Sequence, residues 1–309
     1  MSSIERALYY LQHNRTQFLD SVVKNLCGFL PDKPYLSLRY RLTMGHWINW
    51  KNPKTFTEKL QWLKIYDYKP EYTQMVDKLS AKEYVASRIG EEHIIPTLGV
   101  WDSVSEIDWD SLPNQFVLKT THGGGGCGVV VCPDKNKLDK VKALNKLETS
   151  MRTNAGKTYR EKPYLNVRRK VIAEKYIAVQ ENEDRKDETD LRDYKFFCFD
   201  GKVKCFKIDF GRFVEHHANY YSPEGVLLPF GEKGLEPDPN HVEIIPENLN
   251  QMIKMAEKLS SGFKFLRVDL YNVNGKIYFG ELTFYPAAGM LPFVPEEWDE
   301  KLGKYIQLF

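Results

Sequence analysis

The chain has 309 residues, of which 42% are hydrophobic and 28% charged, and its net charge is +2. That length holds two or three packed subdomains, and so balanced a charge offers no pull on a polyanion, so no nucleic-acid partner is expected. No apolar run approaches the roughly 20 residues of a membrane helix and nothing at the start resembles a signal peptide, so a cytoplasmic chain without a transmembrane segment is expected.

Cys27, Cys127, Cys132, Cys198 and Cys205 are odd in number and lack C-x-x-C spacing, which favours reduced thiols over disulfides or zinc. The histidines form no H-E-x-x-H pattern, so any metal must be held by carboxylates and is a hard cation.

In chain order, Ile4, Leu8, Leu11, Phe18, Val22 and Leu26 predict one or two amphipathic helices across 4–30. Residues 31–70 are dense in aromatic and basic side chains, among them Tyr35, Arg39, Tyr40, Arg41, Trp47, Trp50, Lys51, Trp62 and Tyr66. Such a mixture suits a sugar polymer or a membrane surface, and equally a domain cap in which Lys and Arg stems cover buried rings. A helix over 77–88, a break at Gly90 and an extended segment over 94–100 follow. Strands are predicted over 115–120 and 128–132, with a helix over 137–151. Strands over 171–179, 194–200 and 202–210, a helix over 247–260, and strands over 265–273 and 276–284 complete the pattern. The charged run 181–190 reads as a solvated loop. Strand-rich segments with hairpin-like pairs imply an α+β architecture with antiparallel sheets.

Two segments carry chemistry. In the first, a strand ends in Lys119 and runs through Thr120, Thr121 and His122 into Gly123, Gly124, Gly125, Gly126 and Gly128 before a second strand. Glycines let backbone amides approach an anion and form a phosphate nest. The pattern is not G-x-x-x-x-G-K-[ST] and leads into a strand, so a hairpin flap over a polyphosphate is expected, with a ligand-free surface loop as the plainer reading.

The second is the stretch 266–284, with Asn274-Gly275 as a hairpin turn between apolar strands. Arg267 and Asp269 share one strand face, and Glu281 and Thr283 share one face of the partner. A plain two-residue loop would put Asp269 opposite Gly280 and turn Glu281 away. An odd loop or a compensating bulge puts all four together, and one of these is predicted. Paired carboxylates are costly unless protons or a cation neutralise them, which suits magnesium; the plainer reading is an Arg267–Asp269 pair on a sheet face. Between these segments, Glu174, Lys175, Tyr176 and Ile177 end a strand whose backbone could read an adenine edge. Asp193 and Lys195 alternate on the next strand, where Lys195 faces a phosphate or merely pairs with Asp193. Lys78 alone reads as a solvated helix lysine.

In this order the segments resemble the ATP-grasp superfamily across roughly residues 75–290. Asp77-Lys78 is similar to an early phosphate-contacting lysine, Lys119 with its glycines to the flap, and Glu174 to Ile177 to the adenine hinge of the biotin-carboxylase branch. Arg267-Val268-Asp269, Glu281-x-Thr283 and the stretch 286–290 resemble the metal and acyl-phosphate motif of the D-alanine ligase branch. Where the superfamily has Asn, this chain has Thr283.

The whole chain resembles the TupA-like ATP-grasp proteins of bacterial surface-polysaccharide clusters, sharing the stretch 52–60, the flap 119–123 and the stretch 280–284. The resemblance implies two α+β lobes gripping ATP, at 71–173 and 174–309, behind a helical region at 1–70. It implies ATP and Mg2+ as cofactors, with Asp269, Glu281 and Thr283 on the metal, Arg267 and Lys195 in catalysis, and Asp193 beside the phosphates.

By the same resemblance the reaction joins an amine, from an amino acid or peptide, to a sugar-acid carboxylate through an acyl phosphate. A lipid-linked glycan at the inner membrane face is a partner the N-terminal region could dock on, unless its amphipathicity serves packing. A sugar kinase on the same fold would stop at a phosphorylated hydroxyl. A sugar-nucleotide glycosyltransferase suits the flap and hairpin less well, and a non-catalytic glycan-binding protein would bind no ATP.

Overall fold

A computed structural model describes residues 15–177, 191–210, 216–235, 237–241 and 243–308. Ile4, Leu8 and Leu11, the end of the predicted strand at 178–179 and the charged run 181–190 lie outside these residues. The described residues begin with α1 (Arg15–Leu26) and α2 (Asp32–Met44), which close a small core of Val23, Tyr35, Leu36, Tyr40, Ile48 and Met290. Some aromatic and basic residues of this region are built into the core, and others, among them Arg41, Lys51 and Tyr66, are exposed. Tyr35 and Tyr40 are buried, Lys33 lies 4.8 Å from the Tyr66 ring centre, and the Arg160 guanidinium lies 4.3 Å from that of Tyr35. Trp47 stays exposed.

The stretch 52–60 does architectural work. It starts α3 (Phe56–Tyr66) with a capping box, in which Thr55 Oγ1 accepts from Glu58 N at 3.2 Å and Glu58 Oε2 accepts from Thr55 N at 3.4 Å. Thr57 N donates to Asp299 at 2.9 Å, and Lys59 Nζ donates to the carbonyls of Gly303 and Ile306, both at 2.8 Å. The N-terminal region is thereby fastened to the C-terminal helix. Thr55→Ala removes one of the few acceptors open to the first-turn amides and should cost about 1 kcal/mol of stability. Urea unfolding checks this, and an unchanged midpoint would count against the cap.

After α4 (Glu71–Val76), the predicted helix over 77–88 is corrected to α5 (Ala81–Ile89). Asp77 ends α4 in extended conformation and accepts from Leu79 N at 2.9 Å, so residues 77–80 form a turn and Lys78 leaves the helix surface. The first sheet contains β1 (Thr97–Trp101), β2 (Phe116–Thr120), β3 (Val129–Cys132) and β4 (Val171–Lys175) in the antiparallel order β1-β4-β2-β3. Between β3 and β4 lie α6 (Lys140–Arg152), α7 (Ala155–Tyr159) and α8 (Lys162–Leu165). Ala143 and Leu147 of α6 pack against Phe116, Leu118 and Ala173.

The second sheet comprises β5 (Asp193–Phe199), β6 (Lys202–Phe210), β7 (His217–Tyr221), β9 (Phe265–Val273) and β10 (Lys276–Thr283), in the antiparallel order β10-β9-β5-β6-β7. β8 (Gly231–Glu232) pairs with β11 (Phe293–Val294), and α10 (Glu297–Gly303) follows. α9 (Leu249–Ser260) places Leu249, Met252, Ala256 and Leu259 on one stripe, buried in the core that holds Phe196, Cys198, Val268 and Leu270. The described cysteines are all free, in keeping with reduced thiols.

Candidate functional site

The hairpin of β9 and β10 has a two-residue turn at Asn274 and Gly275, both at positive φ (53° and 80°), as such a turn requires. Left uncorrected, that turn would split the carboxylates between faces. A bulge at Gly280 corrects it: Phe279 pairs with Leu270, and Glu281 then pairs with Asp269 and Thr283 with Arg267. A Cβ on Gly280 would stand 3.0 Å from the Asp269 carbonyl oxygen, a tight contact at the bulge.

Arg267 is the hub of the resulting cluster. Its Nε and Nη2 donate to the two oxygens of Asp269, each at 2.7 Å, and Nη2 also reaches Glu281 Oε1 at 2.9 Å and Thr283 Oγ1 at 3.1 Å. Burial pushes the Asp269 carboxyl up to about 7 against the pull of Arg267. Burial also works against ionisation of Glu281, but Lys78 and Arg267 prevail and hold its carboxyl below the usual range. Two inward carboxylates and a hydroxyl are a donor set that fits a magnesium ion also bound to phosphate oxygens.

Lys78, a solvated helix lysine by its local pattern and a phosphate contact by the family resemblance, is half-buried beneath the flap. Its Nζ donates to the Gly123 carbonyl and lies 3.7 Å from Glu281 Oε2, so it ties the glycine loop to the carboxylate hairpin. Burial lowers its proton affinity. The loop between β2 and β3 has a buried base and an exposed tip, Gly124 to Cys127. Cys127 N donates to Gly124 O at 3.0 Å, which curls the tip, while Gly125 and Gly126 take positive φ. At the base, Thr120 Oγ1 and Ser150 Oγ are 2.7 Å apart, and His122 Nε2 bonds to Ser150 O at 3.0 Å. Burial lowers the His122 pKa.

Lys119 Nζ and Lys82 Nζ clasp the two oxygens of Glu174, each at 2.6 Å. Burial resists ionisation of Glu174, yet the paired ammoniums hold its carboxyl below the usual range. Lys195 Nζ donates to Asp193 Oδ2 and lies 2.9 Å from Asp209 Oδ2. In the sheet register Lys195 pairs with Asp269, which brings the middle strand to the hairpin.

A cavity of about 1140 Å³ is lined by Lys78, Lys119, His122, Gly123 to Gly126, Asp193, Lys195, Arg267, Asp269, Glu281 and Thr283. Of the residues expected from sequence, Gly128, Glu174, Lys175, Tyr176 and Ile177 do not line it. Glu174 and Lys175 are strand residues of β4, with the Glu174 side chain turned to the lysines. A second cavity of about 560 Å³, bordered by Lys202, Glu257, Trp298 and Tyr305, holds none of the expected residues. No described helix is long and apolar enough to cross a membrane.

Family comparison bears on this arrangement directly: the TupA-like ATPgrasp family matches residues 58–307. The chain belongs to the TupA-like ATP-grasp family. Its fold is accordingly the α+β ATP-grasp fold, with antiparallel sheets and N-terminal helices. No curated protein matches the sequence. Among solved structures, it is similar to the D-alanine–D-alanine ligase of Bacillus anthracis complexed with ATP, at 17% identity and TM-score 0.38, over 68% of this chain and 54% of that one. It is also similar to the N5-carboxyaminoimidazole synthetase of Staphylococcus aureus complexed with ADP, at 16% identity and TM-score 0.40, over 68% and 44%. A third is the ATP-grasp ligase PsnB complexed with minimal precursor, Mg and ADP, at 12% identity and TM-score 0.36, over 92% and 67%. The chain thus spans about half the length of the first two.

Within this TupA-like chain, Glu174→Gln should cost about 3 kcal/mol at pH 7, because two largely buried ammoniums lose their shared counter-charge. Glu174 titrates below its unfolded value, so its contribution is present above that value and fades as pH falls through the lower, folded one. The gap between variant and wild type should therefore narrow below about pH 4.5. Denaturant unfolding at several pH values checks it, and a pH-independent gap would sink the assignment.

Sequence reasoning passed over Lys82, Ser150, Glu161, Tyr164 and Lys64. Lys64 is fully buried, with Nζ donating to Tyr159 O at 3.0 Å and Ala288 O at 2.7 Å and lying 3.6 Å from Glu161. Burial pulls Lys64 down to about 8 and pushes Glu161 up to about 7. No local pattern announced these residues; the helical phase that points Lys64 into the apolar core against Tyr285 was the one usable signal.

Proposed function

We propose that the protein is a magnesium- and ATP-dependent carboxylate–amine ligase. It would join an amino-acid or peptide amine to a sugar-acid carboxylate during bacterial surface-polysaccharide synthesis, in the cytoplasm where ATP is available. The observation that carries this reading is the single Arg267 guanidinium bonded to Asp269, Glu281 and Thr283 on a cavity wall shared with the glycine loop. Residues 71–173 and 174–309 are taken as the two lobes, with 1–70 as their N-terminal cap.

In this reading Lys78, Lys119 and the amides of the glycine loop hold the phosphates, and the backbone over 174–177, outside the cavity lining but joined to it through the Lys119–Glu174 pair, would meet the adenine. Asp269, Glu281 and Thr283 hold magnesium, which when bound supplies charge neutralisation at the phosphates. Lys195, fixed by Asp193 and Asp209, presents a positive charge toward the γ-phosphate. The substrate carboxylate attacks that phosphorus and ADP departs, leaving an acyl phosphate; an amine then displaces phosphate. Arg267 stabilises the charge that develops on the carbonyl oxygen, and the flap over the cavity keeps water from the acyl phosphate.

The test is ADP and phosphate release from magnesium-ATP with a panel of uronic acids, with and without amino acids. Carboxylate-dependent ADP release with amide formed only when an amine is present supports the ligase. A stable phosphorylated sugar would replace it with a kinase, and glycan binding without ATP binding would replace it with a binding protein.

A further inference from the structure

Beyond the hairpin, the cavity continues along a wall built by the turn after β10 and the segment joining α7 to α8. Ala287 and Ala288 adopt left-handed backbone there (φ 47° and 56°), and Lys64 and Gln61 hold the turn by its carbonyls. Glu161 faces the cavity from this wall and is 7% exposed. Among the described residues its one ion-pair partner is Lys64 at 3.6 Å, beyond hydrogen-bond length, and the two bonds from Lys64 Nζ go to backbone carbonyls. The carboxylate therefore keeps its accepting capacity for a guest in the cavity. Tyr164, one turn on, also lines the cavity, and its hydroxyl lies in the field of Glu161, Glu281, Arg267 and Asp269.

We propose that Glu161 binds the ammonium of the amine substrate and removes its proton, which makes this wall the amine subsite. The proposal rests on the ligase reading above. An amine arrives at neutral pH as R–NH3+ and has no lone pair to attack with. Glu161 takes one proton and becomes the neutral acid. The freed nitrogen pair forms the C–N bond at the acyl carbon, the C–O bond to phosphate breaks, and phosphate leaves with that electron pair. The second proton lost from nitrogen goes to the departing phosphate, and Glu161 returns its proton to solvent.

A base works best with a pKa near the working pH. Burial raises Glu161 to about 7, while Lys64 and Arg39 pull in the other direction. Tyr164 and Tyr285, the other titratable groups facing it, are pushed well above their ordinary value by burial and stay neutral.

Hydroxylamine separates the roles, because it is weakly basic and reaches the acyl phosphate already unprotonated. Wild type and Glu161→Gln would be compared with magnesium-ATP, glucuronic or galacturonic acid, and either glycine or hydroxylamine. The amide rate of the variant should fall about 10²-fold or more, and its hydroxamate rate by less than about tenfold. The rise of the wild-type amide rate through about pH 7 should be lost in the variant. Should Glu161→Gln strand Lys64 and fail to fold, the double variant Lys64→Met/Glu161→Gln is read the same way. Equal losses with both nucleophiles, or an unchanged pH profile, overturn the proposal. A wild type that forms neither amide nor hydroxamate with these acids overturns the ligase reading, and the proposal with it.

Discussion

Arg267→Met should lower carboxylate-dependent ADP release by about 10³-fold, the largest activity loss expected from any single substitution here. The guanidinium makes four hydrogen bonds to three residues of the hairpin, and no other described side chain joins Asp269, Glu281 and Thr283. Its removal withdraws the charge aimed at the reacting carbonyl and frees two inward carboxylates to repel each other. Arg267→Lys should recover little, because one ammonium cannot reproduce the two-pronged contact with Asp269. The stability loss should be about 3 kcal/mol by urea unfolding, as for breaking a buried pair. Magnesium should raise the melting temperature of Arg267→Met more than that of wild type, since a cation can replace the missing charge between the same carboxylates. A variant within tenfold of wild-type activity, or one indifferent to magnesium in the melt, would refute this view of the cluster.

The second large effect is expected at Gly128, where the flap rejoins the sheet. Its φ is +71°, and an added Cβ would overlap Ser150 Oγ and Thr120 Oγ1, which bond to each other at 2.7 Å. Gly128→Ala therefore meets a left-handed backbone cost of about 1–2 kcal/mol and a clash with a buried hydrogen bond, and should destabilise by about 3 kcal/mol in all. It should also displace the base of the loop, so that the KM for ATP rises. Gly124 is the control: nothing lies within 4 Å of its added Cβ and its φ is outside the left-handed region. Gly124→Ala should leave stability within about 0.5 kcal/mol. Equal melting temperatures for the two variants would show that the loop base is not built as described.

Short-range chemistry made much of this legible in sequence. The Asn274-Gly275 turn, the alternation of Arg267 with Asp269 and of Glu281 with Thr283, and the glycine run after Lys119 each depend on neighbours in the chain. The need for an odd loop or a bulge also followed from sequence, because a plain two-residue turn would have put Asp269 and Glu281 on opposite faces; the fold uses the bulge.

What only the tertiary structure decided were the partners, since an ion pair between distant strands leaves no local trace. Lys78 looked by its local pattern like an ordinary helix lysine, and only the resemblance set it at the phosphates; the turn at 77–80 carries it beneath Gly123 and beside Glu281. Glu174 is read in sequence for its backbone, and only the fold shows that its side chain is the counter-charge that Lys82 and Lys119 share. The stretch 52–60, one of three that carried the family resemblance in sequence, fastens α3 to the C-terminal helix through hydrogen-bond partners more than 240 residues away. Glu161 left no trace for the same reason, and Lys64 left only its helical phase. A lone Glu and a lone Lys acquire meaning only when burial removes the water that would otherwise screen them, and burial is a property of the folded chain.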